Sequence, residues 1–172
     1  MADKPVRTCG HSLIRTAYHE AGHALLAHLH GFRIIWVTII PDARTLGRAR
    51  SMGWELDYVA ANQPERLIWA VIANLSVKLA GPLAELVLHP GPNRRDGNDY
   101  NAAREIMRYA RFSAYDEEAI IERCEATVLR GLRVHWSAVR ALVAELLEDG
   151  RVKGVRAHEI LMTGWPGTPR PT

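Results

Sequence analysis

The stretch Tyr18-His19-Glu20-Ala21-Gly22-His23-Ala24-Leu25 constrains this chain more than any other. Around it, Ile14, Tyr18, Ala21, Leu25 and Leu29 recur at spacings of three and four, which predicts one amphipathic helix over residues 13–30. Ser12 precedes it as a plausible N-cap, and Gly31 follows it as a left-handed cap. His19 and His23, at i and i+4, then project from one face about one turn apart. Two imidazoles so placed reach a single metal ion. Glu20, beside the first, sits where an attacking water would lie. A zinc ion held this way polarises a carbonyl while the carboxylate takes the water's proton. Histidine and glutamate are also common on solvated helix faces. The motif therefore requires a real helix, burial of its other face and a third ligand. Ala21, Gly22 and Ala24 are small enough for a second element to approach closely.

The rest of the chain is compatible with one domain over residues 12–163, between a loose leader, 1–11, and a disordered tail, 164–172. A hydrophobic content of 48% with 24% charged residues is that of an ordinary globular protein. The net charge of +3 is too mild to require nucleic acid as a partner, and the basic residues near 44–50 and 94–95 read as solvated surface. Cys9 and Cys124 lie far apart and neither belongs to a CxxC, so the expectation is a reduced, cytoplasmic protein. Residues 1–10 have no apolar signal core. The run 67–88 is interrupted by Lys78, Gly81-Pro82 and Glu85, and reads as a buried helix, with no membrane span expected. A phosphate-binding GxxxxGK[ST] loop is absent from the sequence.

Residues 33–40 are β-branched and aromatic and predict a buried strand, and 46–55 a weaker antiparallel partner. Such a sheet offers an edge to an extended peptide, or is a plain structural hairpin. Asn62-Gln63-Pro64-Glu65 reads as the start of a helix that runs to Ala80, is punctuated at Gly81-Pro82 and resumes briefly over 83–88. A loop over 89–97 follows, then helices from Asn98 or Asp99 to Phe112, from Asp116 to Gly131, from His135 to Leu147 and from Val155 to Met162. The expected class is mainly α with a small β-sheet or hairpin. The tryptophans mostly fall on apolar stripes, and Trp54 and Trp165 are the two that substrate binding would use. His28 and His30 read as surface histidines, although His30, seven residues past His23, also fits the wall of the same groove.

A catalytic zinc usually has three protein ligands and one open position. A third histidine six residues after the second would fall on Leu29, so that pattern fails. Glu55, Glu65, Glu85, Asp96 and Asp99 are the acidic candidates, and local chemistry does not choose among them. On local chemistry alone Asp99, at a helix start, is better explained as a charge stabilised by the helix dipole.

The segments 16–27, Val37-Thr-Ile-Ile-Pro41, Thr45-Leu-Gly-Arg48, Leu79-Ala-Gly-Pro-Leu-Ala-Glu85 and Gly97-Asn-Asp-Tyr-Asn-Ala-Ala103 resemble, in order and approximate spacing, the FtsH-type zinc peptidases. These are the proteolytic half of membrane AAA+ proteases. The resemblance spans roughly residues 12–162, and its specific parts are the HEAGH and Asn-Asp segments. It implies an FtsH-peptidase-like helical fold with one zinc ion (Zn2+) per chain, bound by His19, His23 and Asp99, and Glu20 as catalytic base. Glu85 is the fallback third ligand, or else a partner orienting a ligating histidine.

The departures are Pro82, Leu83 and Leu86, which replace a glycine, an arginine and an acid of the family segment. The family's AAA+ module is also missing from these residues, so the expectation is a stand-alone domain. The implied activity is a zinc metalloendopeptidase acting on unfolded or exposed polypeptide, alone or fed by a separate AAA+ ATPase, with a homo-oligomer as one arrangement. A catalytically silent domain that binds polypeptide or a partner ATPase is the alternative. A purely structural zinc is disfavoured, because neither cysteine is spaced to fill the fourth position.

Overall fold

The computed structural model describes residues 9–43, 45–93 and 95–163. The expected tail, with Trp165, and residues 1–8 of the expected leader lie outside them. Seven α-helices and three short strands are assigned among the described residues. The order is α1 (Cys9–Leu29), β1 (Arg33–Thr38), β2 (Arg48–Met52), α2 (Leu56–Asn62), a 3-10 turn (Pro64–Arg66), α3 (Leu67–Leu88), α4 (Asn98–Tyr109), α5 (Ala114–Val134), α6 (Trp136–Asp149), β3 (Arg151–Lys153) and α7 (Gly154–Thr163). The protein is mainly α with one antiparallel sheet of order β2-β1-β3.

Two helices form the centre. In α1, Ala17, Ala21, Ala24 and Leu25 are buried, and in α3, Leu75, Leu79, Ala80, Leu83 and Ala84. Each fully buried leucine contributes about 1.5–3 kcal/mol. The helices lie unusually close because α1 offers Gly22 at the crossing. A Cβ there would stand 2.6 Å from the Ala80 carbonyl oxygen and from the Ala84 methyl. Helix α3 and its preceding turn, 64–88, are long and apolar enough to cross a membrane, but α1, α4 and α5 pack around it as around a core helix.

Several boundaries differ from expectation, each for a local reason. Helix α3 continues through Gly81-Pro82. Pro82 only withholds one hydrogen bond from the turn before it, and burial against α1 outweighs that loss. Asn62 is the last residue of α2, not a helix start, and its side chain donates to the Tyr58 carbonyl at 2.9 Å. The weaker strand covers only Arg48–Met52, and Leu56–Asn62 forms α2. Strand β3 is only three residues long, too short for a periodic signal, and pairs with β1 just after Gly150 turns the chain at φ +70. Trp69 is exposed, and Trp54 packs edge-on against it with ring centroids 5.0 Å apart.

Candidate metal centre

His19 and His23 of α1 face α3 and the start of α4. His23 Nδ1 donates to the Val77 carbonyl at 2.6 Å, which fixes the tautomer and leaves Nε2 with its lone pair. His19 Nδ1 lies 2.6 Å from Glu85 Oε1. Arg15 pairs with the other oxygen of Glu85. Both Nε2 atoms then turn to one point, 3.1 Å apart. The Asp99 carboxylate closes the group, with Oδ2 3.0 Å from His19 Nε2 and Oδ1 3.5 Å from His23 Nε2. Ligand atoms held about 2.0–2.1 Å from a tetrahedral zinc are about 3.3 Å apart. The observed separations bracket that edge, so the donor set fits zinc. Among the described residues, His19, His23 and Asp99 are the group of three or more potential ligands placed to share an ion.

Electrostatics agree with the geometry. Burial alone would lower the His19 pKa, but hydrogen bonds to Asp99 and Glu85, with the charges of Glu20 and Asp99, push it up to about 10. Burial would raise Asp99, yet the hydrogen bonds and charges of His19 and His23 hold it well below the usual carboxylate range. Glu85 is lowered too: its burial is outweighed by hydrogen bonds from His19 and Arg15. The His19 ring thus stands between two carboxylates, and a cation held by its Nε2 would take the place of a proton there.

Glu20 is buried, 7% exposed, and does not belong to the ligand cluster. Burial raises its pKa, partly offset by the charges of His23 and His19 and by the Ala49 N–H on β2. The loop before β2 presses on it: a Cβ on Gly47 would fall 3.0 Å from Glu20 Cγ and 2.6 Å from Thr16 Cγ2. On the opposite side, a Cβ on Gly81 would come within 2.4 Å of His23 Nε2 and 2.6 Å of His19 Nε2. Only glycine lets the α3 backbone lie this close to the imidazoles. The centre opens into a cleft of about 1460 Å³ walled by α1, β2, α3 and the 89–97 loop.

Of the acidic candidates, Asp99 joins the histidines and Glu85 takes the orienting place behind His19. Asp96 lines the cleft outside the cluster. Glu55 is the N-cap residue of α2 and Glu65 lies in the 3-10 turn, both apart from the centre. His30 does not line the groove and sits beside the Phe32 ring.

A buried network escaped sequence reasoning. Glu125 of α5 accepts from Tyr100 Oη at 2.5 Å, from Asn93 Nδ2 at 2.9 Å and from Arg95 Nη2 at 2.6 Å. It ties the 89–97 loop and the first turn of α4, hence Asp99, to the helical core. The signal was present: Glu125 shares the inward stripe of α5 with Ile121, Val128 and Leu132, where an acid needs buried partners.

Comparison with known proteins finds no matching family model. The ATP-dependent zinc metalloprotease FtsH of Thermus thermophilus is 34% identical over 98 residues, covering 54% of this chain and 14% of that protein. The ATP-dependent zinc metalloprotease FtsH 1 of Rhodopirellula baltica is 28% identical over a 182-residue alignment covering 86% of this chain and 27% of that protein. The chain spans less than a third of the length of either relative and contains an FtsH-related region.

Proposed function

We propose that this chain is a zinc metalloendopeptidase domain that hydrolyses exposed or unfolded polypeptide. The observation that carries this reading is the convergence of His19, His23 and Asp99 at tetrahedral spacing beside a buried glutamate outside the ligand set. Zinc bound there would polarise the scissile carbonyl and bring the pKa of an attacking water toward about 7.

The chain's own groups do the rest. His23 is held in its ligating tautomer by the Val77 carbonyl, and His19 by Glu85. Glu20, made more basic by burial, takes the water's proton and returns it to the leaving nitrogen. Its packing against Gly47 and the Ala49 N–H fixes its direction. Extended polypeptide enters the cleft along β2, delivered by a separate AAA+ ATPase where the substrate is folded.

Glu20→Gln tests the assignment. It should keep one zinc per chain by elemental analysis and lose about 10²–10⁴-fold in casein hydrolysis. Hydrolysis at the parental rate with zinc retained would remove Glu20 from its role. Absence of chelator-sensitive hydrolysis in the zinc-loaded parent would overturn the activity itself.

A further inference from the structure

The sheet has a buried face and a solvent face, and the second is strongly basic. Val37 pairs with Ala49 and Val152, and this row packs on the core. The neighbouring rows point outward. One is Arg48, Thr38 and Arg151; the next is Arg50, Trp36 and Lys153; Arg33 and Met52 form a third. The five basic residues are exposed. Among the described residues, none of them has a carboxylate within ion-pair distance. Strands lie about 4.8 Å apart and alternate residues about 6.8 Å apart, so Arg48, Arg50, Arg151 and Lys153 mark the corners of a rectangle of roughly 10 by 7 Å. A chain with a net charge of only +3 thus concentrates five cations on one small face.

We propose that this face binds an acidic, extended stretch of the polypeptide substrate, which deepens the peptidase reading above and rests on it. Three observations select this occupant. Arg48 and Arg50 also line the cleft that holds the metal centre, so the basic face runs into it without a break. Strand β2 is an edge strand, paired on one side only, and an extended peptide alongside it sends every second side chain to the face of Arg48 and Arg50. Finally, the ring of Trp36 is covered by the Arg151 guanidinium, 4.7 Å from its centroid. The aromatic surface that a single-stranded nucleic acid would stack on is therefore taken. The preferred substrate carries acids at alternate positions in one register. Shifting them by one residue turns them to the opposite face.

The test uses one cleavable peptide core with two glutamates at alternate positions, the same glutamates shifted by one, and glutamines in their place. At low salt the first should show a KM about tenfold below the other two, and the difference should vanish near 0.5 M salt as exposed pairs are screened. In Arg48→Gln/Arg50→Gln the preference should disappear, and in Arg48→Glu/Arg50→Glu it should invert toward lysine-bearing peptides. Circular dichroism verifies that each variant is folded, and Arg151→Gln/Lys153→Gln provides a second variant pair away from the cleft. Equal KM values for all peptides would overturn the inference. So would tighter binding of an oligothymidylate than of the acidic peptide to the Glu20→Gln protein, read by fluorescence anisotropy. If no peptide is cleaved but that protein still binds the acidic peptide in the charge- and register-dependent order, the peptidase reading falls and the basic docking face stands.

Discussion

Helix α1 takes part in two close histidine pairs, and their surroundings differ. His19 and His23 bring their Nε2 atoms 3.1 Å apart, and His28 brings its Nδ1 3.0 Å from that of His158 on α7. The ring contacts are alike, with centroids 4.7 Å and 4.5 Å apart. Yet His19 is pushed up to about 10, while burial and the neighbouring imidazoles of His158 and His135 lower His28. Proximity of imidazoles therefore does not make a cation site. What differs is the anionic surround: Asp99 in front, Glu85 behind, and the Val77 carbonyl fixing the second ring. Two carboxylates flank the first pair, whereas burial and neighbouring imidazoles disfavour a charge on His28.

The contrast breaks most completely at Asp99. Asp99→Asn keeps the shape and removes the charge, and zinc affinity should fall more than the roughly 10–100-fold typical of losing an orienting partner. Competition with a chromophoric chelator measures it; unchanged affinity would exclude Asp99 as a ligand. Glu85→Gln removes only the charge behind His19, and the same titration should show about a 10–100-fold loss, with one zinc still bound at saturation. A full loss of stoichiometry would instead make Glu85 a ligand. Converting the second pair toward the first, His158→Glu should raise the His28 pKa above 6.5, read from its imidazole resonances by NMR; an unmoved resonance would show that the carboxylate is not what separates the pairs.

The smallest effect is on stability. Burial lowers the folded-state pKa of His28, so the unfolded chain binds the extra proton. The His28 contribution to stability is then complete above about 6.5 and is lost as pH falls through and below it. The shift of the urea midpoint between pH 7.5 and 5.5 should be more destabilising in the parent than in His28→Gln, the difference isolating His28 from the opposite contribution of the raised His19. An equal slope in that variant would assign the acid lability elsewhere.

The halves of the metal centre were unequally legible. His19, Glu20 and His23 lie in one periodic stretch, so spacing alone aligned them. Asp99 lies 80 residues beyond His19, and nothing local distinguished it from a helix-dipole charge; only the family resemblance pointed to it. What brings it in is the Glu125 network, which ties residues 93–100 to an acid on a separate helix, 25 residues beyond Tyr100 and 32 beyond Asn93. The mainly helical class followed from the apolar stripes. The continuity of α3 through Pro82 did not, because burial of α3 outweighs local helix-breaking chemistry there. Strand β3 exists only through its pairing with β1, and no isolated tripeptide announces such a partner.

Gly81 carries a consequence for inhibitor design. With the Gly81 backbone close against the α3 side of the imidazoles, a chelating warhead would approach from the cleft between β2 and the 89–97 loop. A tail attached to that warhead would find Arg48 and Arg50 on the cleft wall. If the site holds zinc as proposed, potency would come from the chelator and selectivity from an anionic tail.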